Sequence, residues 1–309
     1  MANENTALVT GGAGFIGSHL VDELLRLQYR VVVLDNLSSG QLKNINSACV
    51  FLHVDIAKDP IESVFEKEKP SLVFHLAAQS SVAKSATDPV TDAQSNILGT
   101  LRIIENAKKY GVHKIIYSST GGAIYGEPPE LPVDESSPAI PLSHYGLSKL
   151  HGEQYTKLYR NLYKLKYTIL RYANVYGPRQ DGNGEAGVIP IFASLMLSGK
   201  QPTIYGDGNQ KRDFVHVHDV IKANIAAITK GDNQTFNIGT SKMHSVNQIY
   251  ELIKEHTSFN KEALQGQHRP GDVYEISLDY SKAQRELEWS PERAFEQGLQ
   301  ETLQYIETH

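Results

Sequence analysis

Two residues with complementary chemistry stand four positions apart in the stretch HYGLSKLHGEQY, namely Tyr145 and Lys149. Positions i and i+4 share one face of a helix, so a helix here would place a phenol beside an ammonium group. The cation would stabilise the phenolate and lower the tyrosine pKa from about 10 toward neutral pH, which would make Tyr145 a proton acceptor. The same spacing also arises by accident in helices without a catalytic role. The rest of the chain must decide between these two interpretations.

A second chemical pattern, TGGAGFIG, places Gly11, Gly14 and Gly17 between an apolar strand and a helix. The first glycine permits a tight turn, the second lets a pyrophosphate approach the backbone, and the third lets helix and strand pack closely. The start of the helix then offers free N–H groups and the positive end of its dipole to phosphates. This order of elements predicts a dinucleotide site.

Asp35 ends the second apolar run, RVVVLD, where it would accept hydrogen bonds from the adenosine ribose. A carboxylate there repels a 2′-phosphate, so the sequence favours NAD over NADP. Asp55 ends the run FLHVD and either approaches the adenine or is an ordinary turn residue. Both interpretations of Asp55 remain open.

Apolar runs alternate with helical periodicity through residue 177, which predicts a Rossmann-type, doubly wound parallel sheet covered on both faces. The first helix should carry a stripe that includes Ile16 and Leu27, and a further helix should cover residues 88–110. After residue 177 the elements become shorter. We therefore expect a domain at 1–177 and a smaller C-terminal α/β cap at 178–309, with some chain crossing back to the first sheet.

Composition excludes several functions. The chain has 309 residues, a formal net charge of −5 and no dense basic stretch, so neither nucleic acid nor an anionic membrane is an expected partner. Cys49 is the single cysteine, which rules out an internal disulfide and a cysteine-based zinc site. The first residues lack the pattern of a signal peptide, and the cytoplasm is the expected location.

These motifs together resemble the extended short-chain dehydrogenase/reductase family, and within it the UDP-glucose 4-epimerases. The resemblance runs from Leu8 to about Pro291, and it is carried by DNLSSG, FHLAA, NILGT, SSTGGAIYG, YGLSK, LRYANVYGPRQ, YGDGNQKRDFVHVHDV and RPGDV. It implies an NAD-binding domain at 1–177 that includes the Tyr/Lys helix. Residues 178–309 would mainly bind the nucleotide sugar.

The resemblance also implies roles for the chemical residues. Tyr145 would exchange a proton with the sugar O4, and Lys149 would bind the nicotinamide ribose and keep the phenolate charged. Thr120 matches the family's catalytic hydroxyl, but many relatives have one residue fewer before the next Tyr-Gly, so Ser119 is the alternative. Backbone capping at a strand end is the competing interpretation for Ser118 and Ser119.

Further positions carry over from the family one at a time. The residues implied to bind NAD are Gly11, Gly14, Phe15, Ile16, Gly17, Asp35, Asn36, Asp55, Ile56, Leu76, Ala77, Ala78, Asn96, Ser118, Tyr145, Lys149 and Tyr172. Those implied to bind the UDP-sugar are Ser80, Thr120, Tyr145, Asn174, Val188, Ile204, Tyr205, Arg212, Arg269, Asp272 and Ile276. Gly187 departs from the family, where an asparagine often contacts the phosphates.

The residues after Thr120 distinguish among reactions. Related dehydratases carry a further acid at this place, whereas this chain has Gly121-Gly122, so inversion at C4 is expected with NAD bound throughout. Ile276 would guard the sugar C2 group, which favours UDP-glucose and UDP-galactose; the competing interpretation is that Ile276 merely fills the core of the cap. Turnover of UDP-N-acetylglucosamine is the alternative. A non-catalytic NAD-sensing regulator is disfavoured because such relatives lose the Tyr-Lys pair.

Two further expectations concern assembly and metals. The resemblance implies a homodimer formed through helices at 88–110 and 145–164. His216 and His218 have a spacing that could suggest a metal, but alternate strand residues face opposite ways, and this chemistry needs no metal.

Overall fold

The structure, a computed structural model, describes residues 3–182, 187–267 and 273–309. The strands are β1 (Asn3–Thr10), β2 (Arg30–Asp35), β3 (Val50–His53), β4 (Pro70–His75), β5 (Lys114–Thr120), β6 (Lys166–Tyr172), β7 (Asn174–Tyr176), β8 (Thr203–Tyr205), β9 (Lys211–His216), β10 (Gln234–Ile238), β11 (Met243–Ser245), β12 (Leu264–Gly266) and β13 (Glu275–Ile276).

The helices are α1 (Phe15–Arg26), α2 (Glu62–Glu68), α3 (Val82–Thr87), α4 (Pro89–Ala93), α5 (Gly99–Lys109), α6 (Gly121–Ile124), α7 (His144–Tyr163), α8 (Val188–Leu197), α9 (Val217–Thr229), α10 (Val246–His256), α11 (Ser281–Glu286) and α12 (Phe295–Thr308). None of them combines the length and apolar character needed to cross a bilayer, within the three ranges described.

The main sheet has seven parallel strands in the order β3-β2-β1-β4-β5-β6-β10. The doubly wound parallel sheet expected from the sequence is therefore confirmed. Strand β10 lies beyond residue 177 in the chain, yet it pairs with β6 and completes this sheet.

Successive side chains of each strand point to opposite faces of the main sheet, and a hydrophobic core lies on each face. Val31 and Val33 belong to the cluster that includes residues of α1 and α9, whereas Val32 and Leu34 belong to the cluster with residues of α2, α5 and α7. Burial on both faces explains why these strands read as continuous apolar runs rather than as an alternating pattern.

The cap has its own small sheet and core. Strand β9 pairs in parallel with β7 and β13 and antiparallel with β11. The apolar side chains of α8, α10 and α12 form a third cluster with Tyr176 and Phe214. The sheet and the cap meet at the carboxyl end of the seven strands.

Three details differ from the sequence prediction. The helix expected at 88–110 is α4 and α5 joined by a π-helical turn, Gln94–Leu98. Leu27 lies outside the buried stripe, because α1 ends at Arg26 and Leu27 is 37% exposed. The run YTILRYANVYG at 167–177, which reads as one continuous strand, breaks at Ala173, so that β6 joins the main sheet and β7 joins the cap sheet.

Candidate active site

A cavity of about 870 Å³ lies across the carboxyl ends of β1, β2, β4, β5 and β6. In a doubly wound sheet this is the edge at which ligands bind. The residues predicted from the sequence that line it are Gly11, Gly14, Phe15, Ile16, Gly17, Asp35, Asn36, Asp55, Ile56, Leu76, Ala77, Ala78, Ser80, Ser118, Ser119, Thr120, Tyr145, Lys149, Tyr172, Asn174 and Arg212.

The glycine turn has a backbone that only glycine fits well. Gly11 has a φ of +72°, and a Cβ there would lie 2.7 Å from the backbone nitrogen of Ala77. A Cβ on Gly17 would lie 2.0 Å from the carbonyl oxygen of Gly11, so this glycine lets α1 pack against the turn. Gly14 is the N-cap of α1 and has no side chain with which to cover the N–H groups of the first helical turn. These groups lie at the cavity wall and can bind a phosphate.

Asp35 holds the end of β2 against the glycine turn. Its Oδ2 accepts a hydrogen bond from the Ala13 N–H at 3.0 Å, and its Oδ1 accepts one from the Leu37 N–H at 2.8 Å. Each carboxylate oxygen keeps a further lone pair for a ribose hydroxyl. These acceptor oxygens therefore fit the ribose hydroxyls in the adenosine half of NAD.

Asp55 is a turn residue that also lines the cavity. It lines the cavity, and its Oδ1 accepts a hydrogen bond from the Ala57 N–H at 2.9 Å, as a turn aspartate does. Its contact with adenine stays a prediction.

Helix α7 carries the phenol and the ammonium group. Ser143 caps it by accepting a hydrogen bond from the Gly146 N–H at 3.1 Å, so the helix begins just before Tyr145. Lys149 is buried, and its Nζ lies 4.6 Å from the centre of the Tyr117 ring. Burial lowers the pKa of Lys149 to about 8, although the nearby carboxylates of Glu153 and Asp92 raise it.

In the protein alone the pKa of Tyr145 is raised rather than lowered. Burial raises it to about 12, and the charge of Asp92 adds to this, while the hydroxyl of Thr120 acts in the opposite direction. Removal of the phenolate from water therefore dominates, and the effect expected of Lys149 on this phenol stays a prediction.

The three hydroxyl groups at the end of β5 have different partners. Thr120 lines the cavity together with Tyr145, and its hydroxyl lowers the pKa of that phenol, whereas Ser119 donates to the Glu153 carboxylate at 2.7 Å. The Ser118 hydroxyl lies 3.1 Å from the Tyr172 hydroxyl. Backbone capping by Ser118 and Ser119 is therefore wrong, because both hydroxyls bond to side chains. The geometry favours Thr120 over Ser119 as the hydroxyl beside the phenol.

Gly121 leaves no room for a side chain, because a Cβ there would lie 2.4 Å from Cδ1 of the buried Leu278. A Cβ on Gly122 would lie 3.0 Å from Oδ1 of Asn174, a contact that a small shift of the Asn174 side chain relieves. The lack of an acid at position 122 is therefore set by the sequence rather than by space.

Several predicted residues do not line the cavity. Asn96 is buried, and its amide bonds to the backbone of Gln79 and to the side chains of Asp92 and Ser148, so it supports the wall rather than facing a ligand. Val188 and Ile204 pack in the cap core, and Tyr205 lies 37% exposed on β8.

The sugar gate proposed at Ile276 is not supported. Ile276 is 2% exposed and packs in the core beneath β9, while the neighbouring Val273 lines the cavity. Arg269 and Asp272 lie outside the described residues.

Sequence reasoning missed Arg179, which also lines the cavity. Its Nη2 pairs with Asp22 of α1 at 2.8 Å, while its Nη1 is buried and has no hydrogen-bond partner in the described part of the chain. The motif GPRQ contained the residue, but nothing in its spacing indicated that Asp22 would hold it there.

His216 and His218 lie close together, although we expected alternate residues of a strand to face opposite ways. Strand β9 ends at His216, and His218 belongs to α9, so the period of two no longer applies and the ring centres are 5.0 Å apart. Atoms of both rings and of Glu301 lie within 4.8 Å of one another. The guanidinium of Arg293 pairs with Glu301 at 3.1 Å, which places a positive charge where a cation would bind.

Comparison with known proteins agrees with this geometry. The model of the NAD dependent epimerase/dehydratase family matches residues 7–239. A UDP-glucose 4-epimerase from Mycolicibacterium smegmatis is 42% identical over 97% of each chain. The crystal structure of a UDP-glucose 4-epimerase from Thermotoga maritima with UDP-glucose is 49% identical, with a TM-score of 0.96, and covers 98% of this chain and 99% of its own.

A third relative, the UDP-glucose 4-epimerase of Thermus thermophilus in complex with NAD, is 40% identical with a TM-score of 0.94 over 98% of this chain and 99% of its own. A family match over most of the chain agrees with a glycine turn, an acid after β2 and a Tyr-Lys helix around one cavity. The chain therefore belongs to the NAD-dependent epimerase/dehydratase family.

Proposed function

We propose that this protein is a UDP-glucose 4-epimerase, which interconverts UDP-glucose and UDP-galactose with NAD bound throughout. The observation that carries the proposal is that Tyr145, Thr120 and Lys149 line one cavity, beside a glycine pair that provides no acid. The full-length similarity to UDP-glucose 4-epimerases supports the choice of sugar.

The residues divide the chemistry among them. Tyr145 takes the proton from the sugar O4 and later returns it, with Thr120 as the hydroxyl that relays it. Lys149 keeps a positive charge beside the phenol. When bound, NAD supplies a reversible hydride acceptor and a further positive charge in the cavity. That charge favours the phenolate, which burial disfavours in the protein alone.

The 4-keto sugar has no route to elimination in this cavity. A dehydratase needs an acid beside the catalytic hydroxyl, and Gly121 and Gly122 provide none. The ketone therefore turns in the cavity and is reduced again from its other face. Asn174 and Arg212, both on the cavity wall, would hold the diphosphate while the sugar turns.

A direct assay tests this function. Purified protein is given UDP-galactose, UDP-glucose and their N-acetyl forms in separate reactions, and the epimers are resolved by chromatography. We expect UDP-glucose and UDP-galactose to interconvert without added NAD, and the denatured protein to release NAD(H) rather than NADP(H), because of Asp35. No interconversion of either pair by protein that carries NAD would contradict the proposal.

We also propose that two copies associate through α7 and the helices at 88–110. The exposed apolar side chains on these elements include Val90, Leu98, Leu158 and Leu162. Light scattering should give twice the mass of one chain. Leu158→Asp should produce monomers, whereas Leu264→Asp, on the similarly exposed β12, should not. A monomeric wild type would contradict this assembly.

A further inference from the structure

A buried carboxylate continues the face of α7 that carries the phenol and the ammonium group. Glu153 lies one helical turn after Lys149, and its side chain is 0% exposed. Burial alone would raise its pKa, but the hydrogen bonds and charge of Arg171, with Lys157 and Ser119, hold the pKa below its usual value. Glu153 is therefore a fixed negative charge in the protein interior.

The hydrogen bonds of Glu153 connect three elements of the site. Its Oε1 accepts from Ser119 of β5 at 2.7 Å and from Nε of Arg171 of β6 at 2.8 Å, and its Oε2 accepts from Nη2 of Arg171 at 2.7 Å. Arg171 also donates to the Tyr125 hydroxyl at 2.8 Å. This arrangement fixes the strand ends beside Thr120 and Tyr172.

Lys149 itself has no ion-pair partner among the residues that the structure describes. Its ammonium group lies over the Tyr117 ring, and an isolated buried cation tends to lose its proton. The carboxylates that oppose this loss are Glu153 and, from α4, Asp92. Asp92 is also buried, and it accepts hydrogen bonds from the amides of Gln79 and Asn96.

We propose that Glu153 is a positioning residue that keeps Lys149 protonated and holds Ser119 away from the phenol, so that Thr120 faces Tyr145. This inference rests on the proposed epimerase function. Asp92, on α4, assists the first role and has no hydrogen bond or ion pair with Arg171 among the contacts of the described residues. The titratable and charged groups packed around Lys149 are Tyr145, Glu153, Tyr117, His75, Asp92 and, behind Glu153, Arg171.

The proposal predicts a defect that depends on pH. The pKa of Lys149 is about 8, so its charge is present below this pH and is lost as the pH rises through it. Glu153→Gln removes a charge that raises this pKa, so the loss moves to lower pH by about one unit or more, the scale of one nearby charge. The alkaline decline of kcat should move in the same direction.

The first experiment measures kcat from pH 6 to 9.5 with the holoenzyme. Relative to the wild type, Glu153→Gln should lose about fivefold more activity at pH 8.5 than at pH 6.5, as a shift of about one unit requires. Glu68→Gln is the matched control, because Glu68 pairs with Arg30 at 2.6 Å in a similarly buried position at the opposite end of the sheet. It should leave the shape of the profile unchanged.

A second measurement does not depend on turnover. In protein labelled with ¹⁵N-lysine, the Nζ resonance of Lys149, assigned with Lys149→Arg, should titrate at lower pH in Glu153→Gln than in the wild type. An unchanged titration midpoint overturns the inference, even if the variant has a lower kcat at every pH. Absence of epimerase activity in the wild type would instead count against the proposed function.

Asp92→Asn keeps the proposal testable if Glu153→Gln does not fold. This variant leaves the Glu153–Arg171 pair intact and removes the other charge that supports Lys149, so its Lys149 midpoint should also fall. A midpoint equal to that of the wild type would overturn the electrostatic argument for both carboxylates.

Discussion

At the scale of single residues, the site combines groups that burial drives toward their neutral forms. The pKa of Tyr145 is raised to about 12 and that of Lys149 is lowered to about 8, in both cases mainly by removal from water. The protein by itself therefore favours a neutral phenol. Under the proposed function, the positively charged nicotinamide ring of bound NAD favours the phenolate, which couples proton transfer to the presence of the oxidised cofactor.

Tyr145→Phe removes the ionisable hydroxyl and keeps the ring. Turnover should fall at least about a hundredfold, the usual scale for loss of general acid–base help, while NAD remains bound. The measurement is epimer formation together with the NAD content after denaturation. Tyr155→Phe on the same helix is the control and should retain full activity. A fully active Tyr145→Phe would remove Tyr145 from the mechanism.

Thr120→Val and Ser119→Ala separate the two candidate hydroxyls. Thr120→Val deletes the hydroxyl that lowers the pKa of Tyr145 at nearly constant volume, so kcat should fall by roughly ten- to a hundredfold with NAD still bound. Ser119→Ala removes one hydrogen bond to Glu153 and should have the smaller effect on kcat. The reverse order would assign the relay to Ser119.

At the scale of elements, two glycines at the junction of β1 and α1 serve different purposes: Gly17 lets the helix pack against the turn, and Gly14 leaves room for the cofactor. Gly17→Ala places a Cβ 2.0 Å from the Gly11 carbonyl oxygen, so α1 must move, and both thermal stability without NAD and NAD affinity should fall. At Gly14 the closest contact is 3.3 Å, so Gly14→Ala should weaken NAD binding with much less loss of stability. Thermal melting of the stripped protein and NAD titration measure the two effects. Equal melting temperatures for the two variants would contradict this distinction.

The sequence predicts those features of the site that depend on short motifs of neighbouring residues. The glycine turn, the acid after β2 and the spacing in α7 each depend on a few neighbouring residues, and the structure places all of them at one cavity. Distant contacts decide the rest. Asn96 faces Gln79 because a π-helical turn rotates it, and Ile276 lies in the core because β13 pairs with β9. Glu153 could have been suspected, since it follows Lys149 by one helical turn, but its bond to Ser119 requires the sheet to be formed.

At the scale of the whole molecule, buried neutral histidines make stability depend on pH. His75 lies between the hydroxyls of Thr10 and Thr100 at 2.7 and 2.8 Å. Burial, with the charge of Lys149, lowers its pKa to about 3. Above pH 6.5 this histidine is neutral whether the chain is folded or unfolded. As the pH falls below 6.5 the unfolded chain binds the proton first, so stability is lost progressively toward pH 3.

The loss can be measured with His75→Gln. Between pH 7.5 and pH 5, His75 should lower the free energy of unfolding by about 2 kcal/mol, and the variant should lack this part of the decrease. Urea unfolding at the two pH values gives the difference. His256→Gln, at an exposed position, should behave as the wild type does. An unchanged decrease in His75→Gln would show that His75 is not responsible.

Strand β10 has a consequence for how the chain is made. It fills the edge of the main sheet beside β6, although some sixty residues, which include cap elements and α9, are synthesised between the two strands. A nascent chain that has just left the ribosome through Gly177 therefore has an open edge along β6, where Ile169 and Leu170 are fully buried in the finished protein. The cap must begin to emerge before the sheet that precedes it can close. The sheet therefore cannot be completed in the order in which the chain is synthesised. A pause in translation before Ile238 would leave the edge of β6 unpaired and available for pairing with another chain.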